Sequence, residues 1–282
     1  MKQQNKIIVV GATSGLGRML AERYIHDGHV VGIVGRRGDK LAEVAKGHPE
    51  VHCLKADVTD IGRIATHLAA LAGEMGGLDL LVLCSGVGRM NPDLDYGLEL
   101  PTVDTNVRGW TAVADWAFSY FMQQGHGHLA AISSVAGIRG LAPAPAYSAS
   151  KAYQIHYLEA LRQRARISRK RVCVTDVRPG FVRTPLLSHP EKLFWVDEPE
   201  KAVRAIFHGE GGTAFAIQRR SEERTEKESR DYPALGVSCP LDADCTGVVG
   251  GEDIRKSLSL TDKKIPIETG LESTGMCFCP CL

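Results

Sequence analysis

The chain has 282 residues, of which 44% are hydrophobic and 24% are charged, and its formal net charge is +1. A chain of this length can bury roughly three quarters of the surface that it exposes when unfolded, so we expect a sizeable core. A net charge near zero gives no field that would attract nucleic acid or an anionic membrane, so we expect neither as a partner.

The first residues, MKQQNKIIVVGATSG, enter a short apolar strand without the apolar region of a signal peptide. No apolar run approaches the roughly eighteen residues that a membrane span needs, so we expect a cytoplasmic protein. Cys53, Cys84 and Cys173 are expected to be small buried apolar residues. The other five cysteines lie at 239, 245, 277, 279 and 281, and the last four residues of the ending CFCPCL formally fit a prenylation box. Because Pro280 fits an aliphatic position poorly and no zinc-like spacing is present, we predict no metal site there and an unstructured tail.

Short runs rich in valine, isoleucine and leucine alternate with amphipathic helical patterns. The runs are KIIVV, HVVGIV, EVHCLKAD, LDLLVLCSG, GHLAAISS and RVCVTDVRPG, and the helical patterns cover 16–26, 61–75, 107–123 and 147–166. Strands that are apolar on both faces and separated by helices indicate a parallel sheet covered on each side. We therefore predict an α/β fold, a Rossmann-like doubly wound parallel sheet over 1–220, with a short edge strand at 214–217.

The character of the chain changes after that strand. RRSEERTEKESR is a charge run, and the residues beyond it have few aromatic side chains and no sustained period. Such a composition cannot bury enough apolar surface to order a core. We predict that 221–282 form a charged, disordered extension.

Three glycines stand between the first strand and the first helical pattern, in GATSGLG. Gly11 would permit the tight turn, Gly15 would let the backbone approach a pyrophosphate, and Gly17 would let the helix pack closely. The free N–H groups and the positive end of the helix dipole would face the phosphates. The spacing differs from G-x-G-x-x-G, so a glycine-rich turn that only connects two elements is the alternative for this loop taken alone.

A basic pair follows the second strand, in GIVGRRGDKL. A carboxylate about twenty residues past the glycine loop would grip the ribose 2′-hydroxyl of NAD, whereas this chain has Gly35, Arg36 and Arg37. Guanidinium groups pair with phosphate through two hydrogen bonds. We therefore predict NADP(H) as the cofactor, with Arg36 as the principal contact of the 2′-phosphate and Arg37 stacking on the adenine or assisting. An ordinary solvated turn is the alternative.

The stretch SSVAGIRGLAPAPAYSASK carries the groups for acid–base chemistry. Tyr147 and Lys151 are four residues apart at the start of a helical pattern, so they project from one face. A phenol is a poor acid–base group at neutral pH, and a nearby ammonium would lower its pKa. Ser134 ends a strand, and the glycine- and proline-rich segment can fold its hydroxyl back toward the phenol. Both hydroxyls could then bind one substrate oxygen and stabilise the charge that develops during hydride transfer.

Taken singly, these residues have simpler readings as a strand-end cap, a half-buried aromatic ring and a solvated lysine. With all the motifs present in this order, the chain resembles the short-chain dehydrogenase/reductase family in its compact single-domain form, from about residue 7 to 217. The resemblance adds loop residues to the cofactor site: Thr13, Ser14 and Leu16. It implies further cofactor contacts after later strands: Asp57 and Val58 at the adenine, Gly86 near the ribose, and Pro179, Gly180, Val182 and Thr184 flanking the nicotinamide.

The resemblance also completes a catalytic tetrad. Asn106 of TNVRG matches the helix asparagine that holds a water in the proton relay from the lysine, beside Ser134, Tyr147 and Lys151. The chain departs from the family at LCSG, where Cys84 stands in place of a strand-stabilising asparagine.

The function that this resemblance implies is an NADP(H)-dependent oxidoreductase acting on a carbonyl or alcohol small molecule, a hydrophobic ketone or aldehyde. The expected pocket walls are 87–90, 138–145 and the apolar residues of the loop FVRTPLLSHPEKLFW: Phe181, Leu186, Leu187, Phe194 and Trp195. The alternative is a catalytically silent dinucleotide-binding sensor or scaffold, which has no evident need for the full tetrad.

Relatives in this family form dimers or tetramers through two long helices, here 107–123 and 147–166. The resemblance therefore implies a homodimer or homotetramer, with Trp110, Trp116 and Phe118 as candidate contacts. In the competing account, this apolar helix face packs onto the chain's own sheet.

Overall fold

The structure is a computed structural model that describes residues 4–186, 196–208 and 215–218. The strands are β1 (Lys6–Val10), β2 (Val30–Gly35), β3 (His52–Lys55), β4 (Leu80–Leu83), β5 (His126–Ile132), β6 (Arg171–Pro179) and β7 (Phe215–Gln218). The helices are α1 (Gly15–His26), α2 (Gly38–Ala45), α3 (Ile64–Glu74), α4 (Tyr96–Val103), α5 (Trp110–Gln124), α6 (Pro145–Ser168) and α7 (Pro199–His208). A π-helical segment, Asp104–Gly109, joins α4 to α5, and a 3₁₀ turn, Val135–Gly137, follows β5.

The strands form one sheet in the order β3-β2-β1-β4-β5-β6-β7. The first six strands are parallel and β7 runs antiparallel to β6. The direction of winding reverses between β1 and β4, which is the point where doubly wound sheets bind ligands at the carboxyl ends of their strands. The predicted Rossmann-like α/β fold is confirmed.

Both faces of the sheet are covered, which explains why its strands are continuous apolar runs. In β1, Ile8 and Val10 pack with α3, α5 and α6 on one face, whereas Ile7 and Val9 pack with α1, α2 and α7 on the other. All four side chains are at most 1% exposed. Burying a side chain of this size contributes about 1.5–3 kcal/mol to the stability of the fold, relative to leaving it in water.

The departures from the predicted elements are local. Three short helices, α2, α4 and α7, were not predicted, and the long pattern at 107–123 begins inside the π-helical segment. The substitution of Cys84 leaves the strand pairing intact, because its backbone N–H donates to the Val10 carbonyl at 2.8 Å. The expectation that Cys53 is buried is wrong: the residue is exposed because β3 is the edge strand of the sheet.

Trp110 and Phe118 lie inside the folded chain rather than on its surface. Both are buried in the cluster between α5 and the sheet. For these two residues the account in which the helix packs onto its own sheet holds, while Trp116 is only partly buried.

No helix in the described ranges is long and apolar enough to cross a membrane. The predicted extension 221–282 and its boundary near residue 220 lie outside the described residues.

Candidate active site

A cleft of about 710 Å³ runs along the carboxyl ends of the parallel strands. Its volume is in the range of small-molecule and cofactor sites, roughly 300–1,000 Å³. All the predicted site residues except Asn106 line it, namely Gly11, Thr13, Ser14, Gly15, Leu16, Gly17, Arg36, Arg37, Asp57, Val58, Gly86, Ser134, Tyr147, Lys151, Pro179, Gly180, Val182 and Thr184.

Two glycines of the loop, Gly11 and Gly17, have no room for a side chain. Gly11 has φ +92°, and a Cβ added there would lie 2.7 Å from the Ser85 amide nitrogen. A Cβ on Gly17 would lie 2.4 Å from the Gly11 carbonyl oxygen. The turn therefore brings the first residues of α1 directly against the strand ends, where the free N–H groups of the helix can bind phosphate.

One buried hydroxyl in this cradle is available to a ligand. The Ser85 hydroxyl has no hydrogen-bond partner among the described residues, and Ser85 lines the cleft. Since buried polar groups are nearly always paired, a bound group that supplies a partner fits here. The cradle and this hydroxyl together fit the pyrophosphate and ribose of a dinucleotide.

Arg37 is tied to the glycine loop. Its Nη2 donates to Thr13 Oγ1 at 2.8 Å and to Ser14 Oγ at 2.9 Å. A Cβ on Gly35 would lie 2.5 Å from Thr13 Cγ2, so a carboxylate side chain has no room at this position. At the end of β2, where a carboxylate would bind a ribose 2′-hydroxyl, the space is thus occupied by the side chains of Thr13 and Arg37.

Arg36 is held more loosely. Its Nη1 lies 3.8 Å from Asp57 Oδ2, and the two side chains are 62% and 38% exposed. An exposed ion pair at this distance contributes little to stability. Asp57 is itself fixed because its Oδ1 accepts from the backbone N–H and the hydroxyl of Thr59, both at 2.9 Å. The Arg36 guanidinium is therefore free to turn toward an anion in the cleft.

Ser134 and Tyr147 meet at the other end of the cleft. Ser134 follows β5, and its Oγ accepts from the Ala136 amide at 3.1 Å. The Ser134 hydroxyl also donates to the Pro179 carbonyl at 3.4 Å. Burial raises the pKa of the Tyr147 phenol, and the nearby Ser134 hydroxyl acts against that rise. The net shift is upward, so the phenol stays protonated at neutral pH.

Gly88 supports the phenol ring. A Cβ added to Gly88 would lie 2.6 Å from Tyr147 Cδ2, so the ring packs directly on the glycine backbone. Nothing in the local sequence distinguishes this glycine from others in loops, because the requirement comes from a residue far along the chain.

The Lys151 ammonium lies over the Tyr147 ring but makes its hydrogen bonds to other groups. Its Nζ donates to the Ile132 carbonyl at 3.0 Å and to Gln154 Oε1 at 2.9 Å, and lies 5.9 Å from the Tyr147 ring centroid. Burial lowers the pKa of Lys151 to about 8, opposed by the nearby Cys84 and Asp176. The expectation that the lysine lowers the pKa of Tyr147 is not met in the free protein, because the ammonium is directed to these other acceptors.

Asn106 lies behind the cleft wall and is fully buried. Its Nδ2 donates to the Val87 carbonyl at 2.7 Å and to Ser150 Oγ at 3.0 Å, and its Oδ1 accepts from the Val87 N–H at 2.8 Å. The side chain therefore fixes the loop after β4. The backbone carbonyl of Asn106, the residue to which the resemblance assigns a relay water, accepts from Gln154 Nε2 at 2.9 Å.

A buried charged pair beneath Ser134 was not predicted. Ser133 Oγ donates to Asp176, a fully buried residue of β6, and Arg178 Nε donates to the same carboxylate at 2.6 Å. The hydrogen bond from Ser133, which follows β5, to Asp176 fixes the end of β5 against β6. An aspartate within the apolar run RVCVTDVRPG was the signal that could have revealed it.

The end of the cleft that is expected to bind the substrate is mostly apolar. Its lining includes Val87, Met90, Leu141, Pro143, Phe181 and Leu186 from the predicted walls, together with Arg89. Leu187, Phe194 and Trp195, which were also predicted as walls, lie outside the described residues.

A glycine cradle and a Ser–Tyr–Lys group in one cleft of a doubly wound sheet are typical of dinucleotide-dependent oxidoreductases. The family model described as short chain dehydrogenase matches residues 5–192, and the chain belongs to this family of oxidoreductases.

Relatives extend this assignment. The chain is 38% identical over 231 residues to an uncharacterized oxidoreductase of Myxococcus xanthus, covering 78% of this chain and 90% of that protein. It is 31% identical over 180 residues to the NADP-dependent 3-hydroxy acid dehydrogenase YdfG of Shigella flexneri, covering 62% of this chain and 72% of that protein. A solved structure of an actinorhodin polyketide ketoreductase with NADPH matches with a TM-score of 0.64 and 25% identity, covering 73% of this chain and 89% of that one.

Proposed function

We propose that the protein is an NADP(H)-dependent oxidoreductase that transfers a hydride between NADPH and the carbonyl carbon of a hydrophobic ketone or aldehyde. The observation that carries this proposal is that the hydroxyl-bearing residues Ser134 and Tyr147 line one cleft together with Lys151, a glycine cradle and two arginines. A sensor or scaffold would not need that pair of hydroxyls.

The preference for NADP(H) is supported by the basic end of the cleft. Arg37 donates hydrogen bonds to the hydroxyls of Thr13 and Ser14. Thr13 leaves no room for a carboxylate side chain at position 35. Guanidinium groups bind phosphate strongly, and a carboxylate would repel it. The NADP-dependent relative and the ketoreductase solved with NADPH agree with this choice of cofactor.

The residues of the cleft have distinct tasks in the proposed reduction. When bound, the cofactor supplies a hydride to the carbonyl carbon, and the carbonyl oxygen then needs one proton. Tyr147 holds that proton, because burial raises the pKa of its phenol. Ser134 orients the oxygen and stabilises its developing negative charge. Lys151 uses two of its three ammonium hydrogens within the protein, which leaves the third for the cleft.

The proposed substrate class follows from the apolar wall. Val87, Met90, Leu141, Phe181 and Leu186 offer contacts to hydrocarbon, and a buried apolar surface favours a hydrophobic carbonyl compound. The named relatives act on a 3-hydroxy acid and on a polyketide, so 3-oxo compounds belong in the test panel.

The test is the oxidation of NADPH, with NADH in parallel, over a panel of aldehydes, ketones, 3-oxo acids, quinones and hydroxysteroid-type ketones. Tyr147→Phe is the matched control, since it removes one hydroxyl and keeps the ring. We expect NADPH-preferring turnover that falls by several orders of magnitude in the variant, while the Kd for NADPH stays nearly unchanged. Full turnover in Tyr147→Phe would overturn the mechanism, and NADPH binding without turnover on any carbonyl would favour the sensor.

We also infer a homodimer or homotetramer built on α5 and α6. Two aromatic pairs on these helices support this inference because they are only partly buried: Trp116 with Tyr120, and Tyr153 with Tyr157, each with ring centroids 5.5 Å apart. Aromatic surfaces of this kind are enriched at subunit contacts. Light scattering on the purified protein tests it, and a monomer at micromolar concentration would contradict it.

A further inference from the structure

A continuous hydrogen-bonded chain runs from Lys151 through Gln154 to Asn106. Lys151 Nζ donates to Gln154 Oε1 at 2.9 Å, and Gln154 Nε2 donates to the Asn106 carbonyl oxygen at 2.9 Å. Lys151 is 5% exposed, and the other two residues are 0% exposed. Gln154 is not among the residues that line the cleft.

The position of Gln154 follows from helix geometry. Residues 151 and 154 are three apart in α6 and so share one face, which packs on the π-helical segment that contains Asn106. A π-helical turn inside an α-helix changes the usual ladder of backbone hydrogen bonds and is frequent at functional sites. In this protein the backbone carbonyl of Asn106, within the π-helical segment, accepts a hydrogen bond from the Gln154 amide.

Glutamine is chemically matched to this place. An ammonium only donates hydrogen bonds and a carbonyl only accepts them, so a bridge between the two needs one acceptor and one donor. The glutamine amide has both at the end of one side chain, whereas glutamate lacks the donor and methionine lacks both. The amide has no group that ionises near neutral pH, so Gln154 does not itself relay a proton.

We propose that Gln154 is a positioning residue that holds the Lys151 ammonium in its charged form, with one N–H bound to Gln154, one to Ile132 and the third available to the cleft. What the third N–H binds rests on the proposed function. The hold on the ammonium itself is a property of the free protein and can be measured without turnover.

Other ionisable groups also face the lysine. Cys84 follows β4, Asp176 lies on β6, and the Tyr147 phenol lies one turn earlier on α6. Burial disfavours the ammonium and so lowers the pKa of Lys151. The hydrogen bond to Gln154 favours the ammonium and so acts against this lowering of the pKa. Since these neighbours are the same in every variant of Gln154, a change in the lysine titration can be assigned to the amide.

The experiment is trace acetylation of the full-length protein with acetic anhydride from pH 6 to 11, with labelling of Lys151 measured by peptide mass spectrometry. Only the neutral amine reacts, and Lys151 lines the cleft, where a small reagent can reach it. Lys46, exposed at the end of α2, is the internal reference. Gln154→Met keeps the side-chain length and removes the acceptor, and Gln154→Glu keeps the shape and adds a negative charge. Gln124→Met is the matched control, because the Gln124 amide donates to two backbone carbonyls away from the cleft, those of Leu78 and His126.

We expect the labelling midpoint of Lys151 to fall by about one pH unit in Gln154→Met and to rise by about one unit in Gln154→Glu, because hydrogen bonding and opposite charge both favour the ammonium. Gln124→Met should leave it unchanged. Wild-type midpoints in both variants, shifts in the same direction, or a Lys151 that is never labelled in Gln154→Met would each overturn the proposal. A shift without any carbonyl turnover would instead leave the role of Gln154 intact and count against the proposed function.

Discussion

Gly88 lies beneath the Tyr147 ring, and replacing it with alanine should displace the phenol. The added Cβ would stand 2.6 Å from Tyr147 Cδ2, whereas carbon atoms in contact are normally about 3.5–4.0 Å apart. Either the loop or the ring must therefore move by about 1 Å. The loop resists, because Asn106 holds the neighbouring Val87 by two hydrogen bonds of 2.7 and 2.8 Å.

The ring is therefore the part that moves. A misplacement of about 1 Å at a reacting group can lower a rate by about a hundredfold. We expect Gly88→Ala to lower kcat by about that factor, and overpacking to destabilise the protein by about 1–3 kcal/mol. The binding of NADPH should change little, since Gly88 lies away from the glycine cradle.

The assay compares kcat, the Kd for NADPH and the Tm of Gly88→Ala with those of Gly73→Ala. Gly73 lies on α3 and does not line the cleft, and a Cβ there meets no atom within 4 Å, so this control adds the same methyl group without a collision. If Gly88→Ala has the kcat and Tm of the wild type, the ring does not depend on this glycine and the reasoning fails.

Two further predictions concern charge. The pKa of Lys151 is about 8 in the folded protein, below its ordinary value of 10.5, so the unfolded chain binds more protons between these values and this lysine makes stability rise with pH there. The free energy of unfolding of Lys151→Met minus that of the wild type should therefore decrease from pH 8 to 10, by up to about 1 kcal/mol per pH unit. Urea titrations at several pH values measure this difference, and a difference that does not change with pH would contradict the prediction. Arg37→Ala and Arg36→Ala should each weaken NADPH binding roughly ten- to a hundredfold, as expected for a lost charged hydrogen bond, with little effect on NADH. Equal losses for both cofactors in fluorescence titrations would refute the role of the arginines.

The sheet could be predicted because both of its faces are buried. The alternation of Ile7 and Val9 with Ile8 and Val10 between two cores makes every residue of β1 apolar, and such runs are easy to recognise. The short helices could not be predicted in the same way. α4 contains Pro101 and exposes Tyr96, so it has no apolar stripe of helical period, and only the Asp95 cap marks its start.

The groups of the site that lie in one local motif were predicted, and those that depend on distant contacts were not. Tyr147 and Lys151 are brought together by one turn of helix, so their spacing is visible in the sequence. Gln154 gains its importance from a carbonyl 48 residues away, and Gly88 from a ring on another element. Neither contact leaves a pattern that a single sequence displays.

The electrostatics of Tyr147 and Lys151 differ from the simple expectation for an adjacent phenol and ammonium. Burial favours the neutral form of each group, raising the pKa of the phenol and lowering that of the lysine. In the free protein the Ser134 hydroxyl acts against the rise in the pKa of the phenol, and Gln154 accepts a hydrogen bond from the lysine. The phenol hydroxyl and the ammonium therefore interact with these neighbours and not with each other. A protonated phenol is the form that donates to a carbonyl oxygen, and it suits reduction better than the oxidation of an alcohol, which needs a base. Any influence of the ammonium on the phenol must then pass through its third N–H, once a bound molecule gives that hydrogen an acceptor in the cleft.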